Sequence, residues 1–307
     1  MTAPLTPDAE ALQAARNRRG IAAMVVAMAL FITTDTLSKL ARADMPPGQV
    51  MTLRGVFALV FALGLAAAMG ELPRLPLAFR PPVLRRAMAE LAVAMTFLTV
   101  LGHLPLADLT AIGQSAPLMI AVYLAVSGTE VMGWRRWASV AVGFAGVLLV
   151  LKPGAQSFNA YTALAVVCAM LVAARDLLTR SVPREVPSVL ILAATTISVL
   201  LGGLVMGLFE TWAPLTGRSL LILAGAALFV TGGNYFIITA FRGVEVGVVA
   251  PFRYSVIVMA VLYGLAVFGE VPDLFTLVGA LLIGGSGAYT LHRERVRARE
   301  RAPQRAA

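Results

Sequence analysis

The chain has 307 residues, 59% hydrophobic and 13% charged, with a formal charge of +9 and a mean hydropathy of +0.84. Soluble domains carry about 25% charged and about 45–50% apolar residues, so this balance excludes an ordinary soluble enzyme and, for want of solvating groups, a disordered chain. One cysteine (Cys168) and two histidines (His103, His292) give no internal disulfide and no Cys- or His-based metal cage, and the expected class is an all-helical integral membrane protein.

Residues 1–19 are polar and form an expected cytoplasmic tail without a cleavable signal peptide. Ten apolar runs follow, each near the roughly 20 residues that cross a bilayer. They are 20–41, 49–69, 84–103, 107–127, 134–151, 160–180, 188–209, 219–240, 248–268 and 274–291. Short Pro- and Gly-containing segments separate them, from Pro46-Pro47-Gly48 to Pro214–Gly217, and leave no room for an inserted soluble domain. The runs do not alternate, which excludes a transmembrane β-barrel.

A charge inside a bilayer is costly, by about 2.5–3.5 kcal/mol on insertion scales, so each one needs a partner or a task. Span 1 sets Asp35 and Lys39 four residues apart on one helix face, an expected ion pair, and Arg54 of span 2 lies at similar depth. The cluster reads as a gate or as a structural pair. Thr33, Thr34 and Thr36 bond their own backbone, or, for Thr34, face a solute. Span 3 opens on Arg85, Arg86 and Glu90, a local ion pair rather than a proton carrier, and ends on His103 at the interface. Span 4 holds Gln114-Ser115-Ala116-Pro117 and then Tyr123, a polar patch beside a helix-breaking proline, which lines a cavity or packs. Span 6 ends in Arg175, Asp176 and Arg180, the counterpart of the span 1 cluster at the opposite mouth.

Span 8 carries Thr231-Gly232-Gly233-Asn234-Tyr235. The glycines permit close helix contact, and Asn234 is a solute ligand or an interhelical clamp. Span 9 carries Pro251-Phe252-Arg253-Tyr254-Ser255. Pro251 loosens the helix, and Arg253 is a candidate for bidentate pairing with a substrate carboxylate. The alternatives for Arg253 are a bond to Glu245 or Asp176, or snorkelling to the interface. Tyr123, Tyr235, Tyr254 and Tyr263 offer stacking faces or belong to the bilayer belt.

Basic residues orient the chain. Eighteen of the 25 flank the expected cytoplasmic side: Arg16, Arg18, Arg19, Arg74, Arg80, Arg85, Arg86, Arg135, Arg136, Arg180, Arg184, Arg242 and the tail arginines from Arg293 to Arg305. Three (Arg42, Lys152, Arg218) fall on the other side. Both termini are therefore expected in the cytoplasm of an inner-membrane protein. The basic segment 292–307 then anchors topology beside anionic lipid heads, and the net charge needs no nucleic acid.

An offset of 141 residues lays Asp35-x-x-x-Lys39 on Asp176-x-x-x-Arg180, Asp44 and Pro46 on Glu185 and Pro187, and Gly143 and Gly146 on Gly284 and Gly287. Glu130 meets Glu270 with one residue inserted. Two five-span halves, 20–151 and 160–291, follow; five being odd, they are expected as inverted repeats around a central cavity, as in secondary transporters that work by alternating access.

The stretch Leu104–Ile112, Ala116-Pro117-Leu118, Gly128-Thr129-Glu130, Trp134–Trp137, Gly143–Gly146 and Lys152-Pro153-Gly154, repeated as Val249–Tyr254, Phe268–Asp273 and Gly279–Gly287, resembles the EamA family of the drug/metabolite transporter superfamily. The resemblance spans residues 20–291. It implies ten helices in two inverted EamA repeats, a central substrate cavity and movement of small organic solutes; no cofactor, metal or obligatory protein partner is expected. Members of the family export amino acids, aromatic ones included, or carry S-adenosylmethionine, riboflavin or sugars. Amino-acid export is the expected function, and cofactor or metabolite uptake the alternative. An enzyme would need clustered acids, an HExxH or a nucleophile with its base, which the sequence lacks; a channel or a non-transporting interaction protein has only weak support. Small multidrug relatives use a membrane glutamate for proton exchange; Asp35 is the nearest substitute. Pairing with Lys39 would lower its proton affinity, so facilitated or gradient-driven export is expected.

Overall fold

The computed structural model describes residues 7–129, 132–152, 159–183, 185–240 and 246–301. Among these the chain is helical, with no strand. The helices are α1 (Pro7–Asp44), α2 (Pro47–Ala68), α3 (Pro81–Leu101), α4 (Leu106–Gly113), α5 (Ala116–Val126), α6 (Trp134–Leu151), α7 (Ala160–Thr179), α8 (Ser188–Gly207), α9 (Gly217–Ala240), α10 (Val246–Val249), α11 (Ser255–Phe268) and α12 (Leu274–Arg301). Two 3-10 segments, Leu72–Phe79 and Ala250–Tyr254, precede α3 and α11. Glu130, Pro153, Gly154, Arg184, Arg242, Glu245 and residues 302–307 lie outside the described residues.

Among the described residues eight helical spans are long and apolar enough to cross a membrane, α4 with α5 and the 250–254 segment with α11 each counting as one. Of the ten expected spans, two fall short by that measure. The 21-residue α3 carries Arg85, Arg86 and Glu90, and the apolar part of α12, Leu274–Thr290, is shorter than the rest.

Prolines set the boundaries. Pro47 and Pro81 open α2 and α3, where a missing N–H leaves no bond unmade. Pro117 has no N–H for Gly113, and its ring crowds that carbonyl. One run is thereby split into α4, which ends at Gly113, and α5, which starts at Ala116. Pro251 acts likewise, and the backbone between α10 and α11 tightens into 3-10 geometry. Asn159 starts α7 with a capping box, its Oδ1 accepting from the Tyr161 and Thr162 amides at 2.9 and 3.1 Å.

The helices pair across the chain: α1 on α9, α2 on α8, α6 on α12, α3 on α7 and α8. Lipid tails are as apolar as leucine, so close van der Waals packing drives these contacts. Small residues permit it. A Cβ on Gly203 of α8 would stand 2.8 Å from the Thr52 amide nitrogen of α2, and one on Gly146 of α6 would stand 2.7 Å from the Gly279 carbonyl of α12. Gly233 of α9 accommodates the Phe31 ring of α1 in the same way. Met24, Ile32, Met51, Leu98, Leu101, Leu106 and Ile112 fill the centre of this packing without exposure.

A polar clasp closes the α2–α8 pair. The Glu210 carboxylate accepts from the Gly48 amide at 2.9 and 3.1 Å and from the Gln49 amide at 3.3 Å. It thus occupies the positive end of the α2 dipole. The buried Gln49 side chain donates to the Ala213 carbonyl and accepts from the Ala213 amide, both at 2.8 Å.

Candidate functional site

The two ends of the bundle differ. One end gathers the last turns of α1, the α3–α4 turn, Lys152 and the α11–α12 turn. Lys39 forms an ion pair with Glu270, donates to the Leu104 carbonyl at 2.7 Å and lies 5.0 Å from the centroid of the Phe268 ring. The second oxygen of Glu270 accepts from the Leu106 amide at 2.8 Å. Arg42 donates to the Leu98 carbonyl at 2.9 Å and to that of Met45. Lys152, in a left-handed conformation that ends α6, pairs with Asp273 at 2.5 Å, and Thr276 donates to Asp108 at 2.9 Å. The Lys152 ammonium and the Thr276 amide hold the Asp273 carboxyl below its ordinary range.

The other end is rich in arginine. Arg175 of α7 holds Asp176 at 2.7 Å and Glu90 of α3 at 3.1 Å, and Arg86 reaches Glu90 at 3.1 Å and bonds Thr195 of α8. Arg253 lies 3.9 Å from the free oxygen of Asp176. Here a cavity of about 220 Å³ opens between α5, α6, α7, the 251–254 segment and α12. Pro117, Leu118, Ile120, Ala121 and Leu124 form its apolar wall; Arg136, Asp176, Arg180, Arg253, Tyr254 and Thr290 supply polar groups.

The expected pairing of Asp35 with Lys39 is not what the structure holds. Lys39 turns to Glu270 on a distant segment, while Asp35 keeps Arg54 as its charged neighbour and makes no hydrogen bond among the described residues. Arg54 itself donates to Ser38 at 3.0 Å. The reasoning that Lys39 would lower the proton affinity of Asp35 therefore loses its premise. Arg175, not Arg180, binds Asp176; Arg180 lines the cavity. Glu90 forms the local pair expected of it.

Of the expected solute ligands, Arg253 and Tyr254 line the cavity, and Pro117 lies in its wall. Gln114 and Ser115 sit in the α4–α5 break, with Ser115 donating to the Ile112 carbonyl at 2.6 Å and the Gln114 amide oxygen enclosed without a partner among the described residues. Thr34 bonds the Leu30 carbonyl of its own helix and that of Ala226 in α9. Asn234 donates to the Val230 carbonyl one turn back at 2.8 Å. Tyr123 and Tyr235 are 58% and 47% exposed and lie outside the cavity wall. His103 stacks on Tyr161 with ring centroids 3.7 Å apart, and Tyr263 bonds Thr33 at 3.0 Å.

Glu270 was missed as the partner of Lys39. The repeat pairs it with Glu130, and a cluster of Asp35 and Lys39 from span 1 with Arg54 from span 2 has no need of it. Arg136 was read as a topology marker only, though it is buried in the cavity wall.

A bundle of apolar helices with a cavity at one end, its apolar wall set with charged groups, is compatible with the frame of a membrane transporter. The EamA-like transporter family model matches residues 18–152 and again 160–290, and the chain belongs to that family, a multi-pass protein of the inner membrane. It is 28% identical over 196 residues to the S-adenosylmethionine uptake transporter of Rickettsia conorii, covering 62% of this chain and 65% of that one; the match thus spans less than two thirds of that relative. It is 25% identical over 278 residues to the pseudopaline exporter CntI of Pseudomonas aeruginosa, covering 87% and 93%, and 24% identical over 286 residues to a riboflavin transporter of Brucella anthropi, covering 88% and 98%. A solved crystal structure superposes with a TM-score of 0.65 at 20% identity, over 91% of this chain and 97% of that one, which shows the shared fold.

Proposed function

We propose that the protein is a secondary carrier with ten spans, arranged as inverted repeats 20–151 and 160–291, with both termini in the cytoplasm. It moves small organic solutes by alternating access. The observation that carries this reading is the contrast between a mouth tied shut by Lys39, Glu270 and their backbone partners and a cavity open at the arginine-rich end. The helix pairing supports the repeat. Exchanging each span for the one five further on turns α1–α9 into α7–α3 and α3–α8 into α9–α2, and all of these pairs pack. The excess of basic residues at the open end supports its assignment to the cytoplasm.

Export of amino acids, aromatic ones included, is the primary substrate reading. Uptake of a cofactor such as S-adenosylmethionine or riboflavin is the second, and relatives named for such cargo support it. Lys39, Arg54 and Asp35 act at one gate, and Asp176 and Arg180 at the other. Flux of a radiolabelled amino-acid and cofactor panel in proteoliposomes, with and without a pH gradient, tests the reading. Uptake above protein-free vesicles is expected for at least one class; no flux of any solute overturns it.

A further inference from the structure

We propose that the cavity binds an organic solute of net negative charge, its oxyanion held by Arg253, Arg180 and the Tyr254 hydroxyl. The proposal rests on the carrier reading and narrows its substrate class. It starts from the charges around the cavity. Glu90 and Asp176 are answered by Arg86 and Arg175 within 3.1 Å, so these four groups neutralise one another. Arg253 and Arg180 are left over at the cavity wall. The ion-pair contact of Arg253 is to an Asp176 already bound by Arg175, at 3.9 Å, and Arg180 makes no ion pair among the described residues.

The hydroxyl of Tyr254 points the same way. Tyr254 is 9% exposed, and its hydroxyl oxygen is enclosed without a hydrogen-bond partner among the described residues. A buried hydroxyl left unpaired is unfavourable, and Arg253 has as its counter-charge only the Asp176 oxygen at 3.9 Å, longer than a charge-assisted hydrogen bond. One oxyanion answers both, by charge-assisted bonds from the guanidinium groups and donation from the phenol. A zwitterion brings an ammonium as well. Asp176, the acid lining the cavity among the described residues, already has one oxygen bound by Arg175 and the other approached by Arg253. The site therefore favours anions over zwitterions and cations. Carboxylate and phosphate share the required chemistry.

Thermal unfolding of the purified full-length protein in detergent, at fixed ionic strength, provides the test. The probes are succinate, its neutral analogue succinamide, methyl phosphate, and the dication putrescine. Succinate or methyl phosphate at millimolar concentration is expected to raise the midpoint, and their ranking tells carboxylate from phosphate; succinamide and putrescine should leave it unchanged. Arg253→Gln and Arg180→Gln are each expected to weaken anion binding about tenfold or more. Tyr254→Phe, which keeps the ring and the fold, should weaken it by a smaller factor, and the exposed Arg74→Gln should not. Equal stabilisation by succinamide, unaltered binding in Arg253→Gln, or no response to either anion overturns the proposal. Flux of zwitterions that is insensitive to Arg253→Gln removes the anion site and keeps the carrier. Anion binding with no flux of any solute removes the carrier and keeps the site.

Discussion

The two ends of the bundle spend similar residues to opposite effect. At the closed end Lys39 and Glu270 come from segments 231 residues apart, and their remaining valences go to the backbone of Leu104 and Leu106. That single pair joins three segments. At the open end Arg175 and Asp176 are neighbours on α7, and Glu90 and Arg86 share α3. Arg175 adds a bond to Glu90 that ties α3 to α7, and among the described residues the ion-pair contact from this group across the cavity is the 3.9 Å approach of Arg253. An ion pair latches a mouth when it spans elements that must part, and lines it when it lies within one wall.

The strongest way to break this contrast is Glu270→Gln. It leaves Lys39 without its counter-charge at 12% side-chain exposure. Removing one partner of a fully buried pair costs about 3–5 kcal/mol; with partial exposure about 2 kcal/mol is expected, roughly a 30-fold shift toward the opened mouth. A cysteine placed at Leu104 in a Cys168→Ser background should then react faster with a membrane-impermeant maleimide, and the reversed pair Lys39→Glu with Glu270→Lys should slow it again. Unchanged labelling would refute the latch. Next, Arg175→Gln takes the 2.7 Å partner from Asp176 and leaves Glu90 with Arg86 alone; it should destabilise the fold by about 2 kcal/mol, read as a lowered thermal midpoint in detergent, without raising Leu104 labelling. Thr276→Ala removes one bond to Asp108 and should cost about 1 kcal/mol, read as a small loss of midpoint. The least effect is that of acid on Lys152–Asp273. The Asp273 carboxyl is held below its ordinary 3.8, so its contribution to the closed mouth is complete above that value and lost as pH falls through the lowered one. With Asp273 half exposed, labelling divided by that of an exposed reference cysteine at the same pH, which removes the thiolate dependence of the reagent, should rise only slightly below pH 4 and should not change between pH 6 and 8.

The helices were legible because long apolar runs and prolines are local signals: Pro117 and Pro251 mark breaks that the backbone adopts. Charge pairing was legible only where it too is local. Arg86 and Glu90, four apart near the start of α3, do meet. Asp35 and Lys39 have the same spacing, but Lys39 stands at the end of a span, where a long side chain reaches the carboxylate and carbonyls of other segments. Nothing in spacing ranks a tertiary partner against a local one. The faces of the helices were hidden for another reason. With nearly every position apolar, periodicity cannot tell a lipid-facing side from a buried one, so Tyr123 and Tyr235 passed for solute ligands though they lie outside the cavity wall. Asn234 had a partner within its own turn, as polar side chains in helices often do.

Glu210 has a consequence for how the molecule is made. It supplies the acceptor for the first amides of α2 from 162 positions downstream, so when residues 47–49 leave the ribosome their acceptor has not yet been synthesised. The early hairpin must wait in the membrane with those donors hydrated or held by the insertion machinery. Truncated products ending before residue 210 should therefore be substrates for quality-control proteases, while a separately produced second half, added in trans, should rescue them.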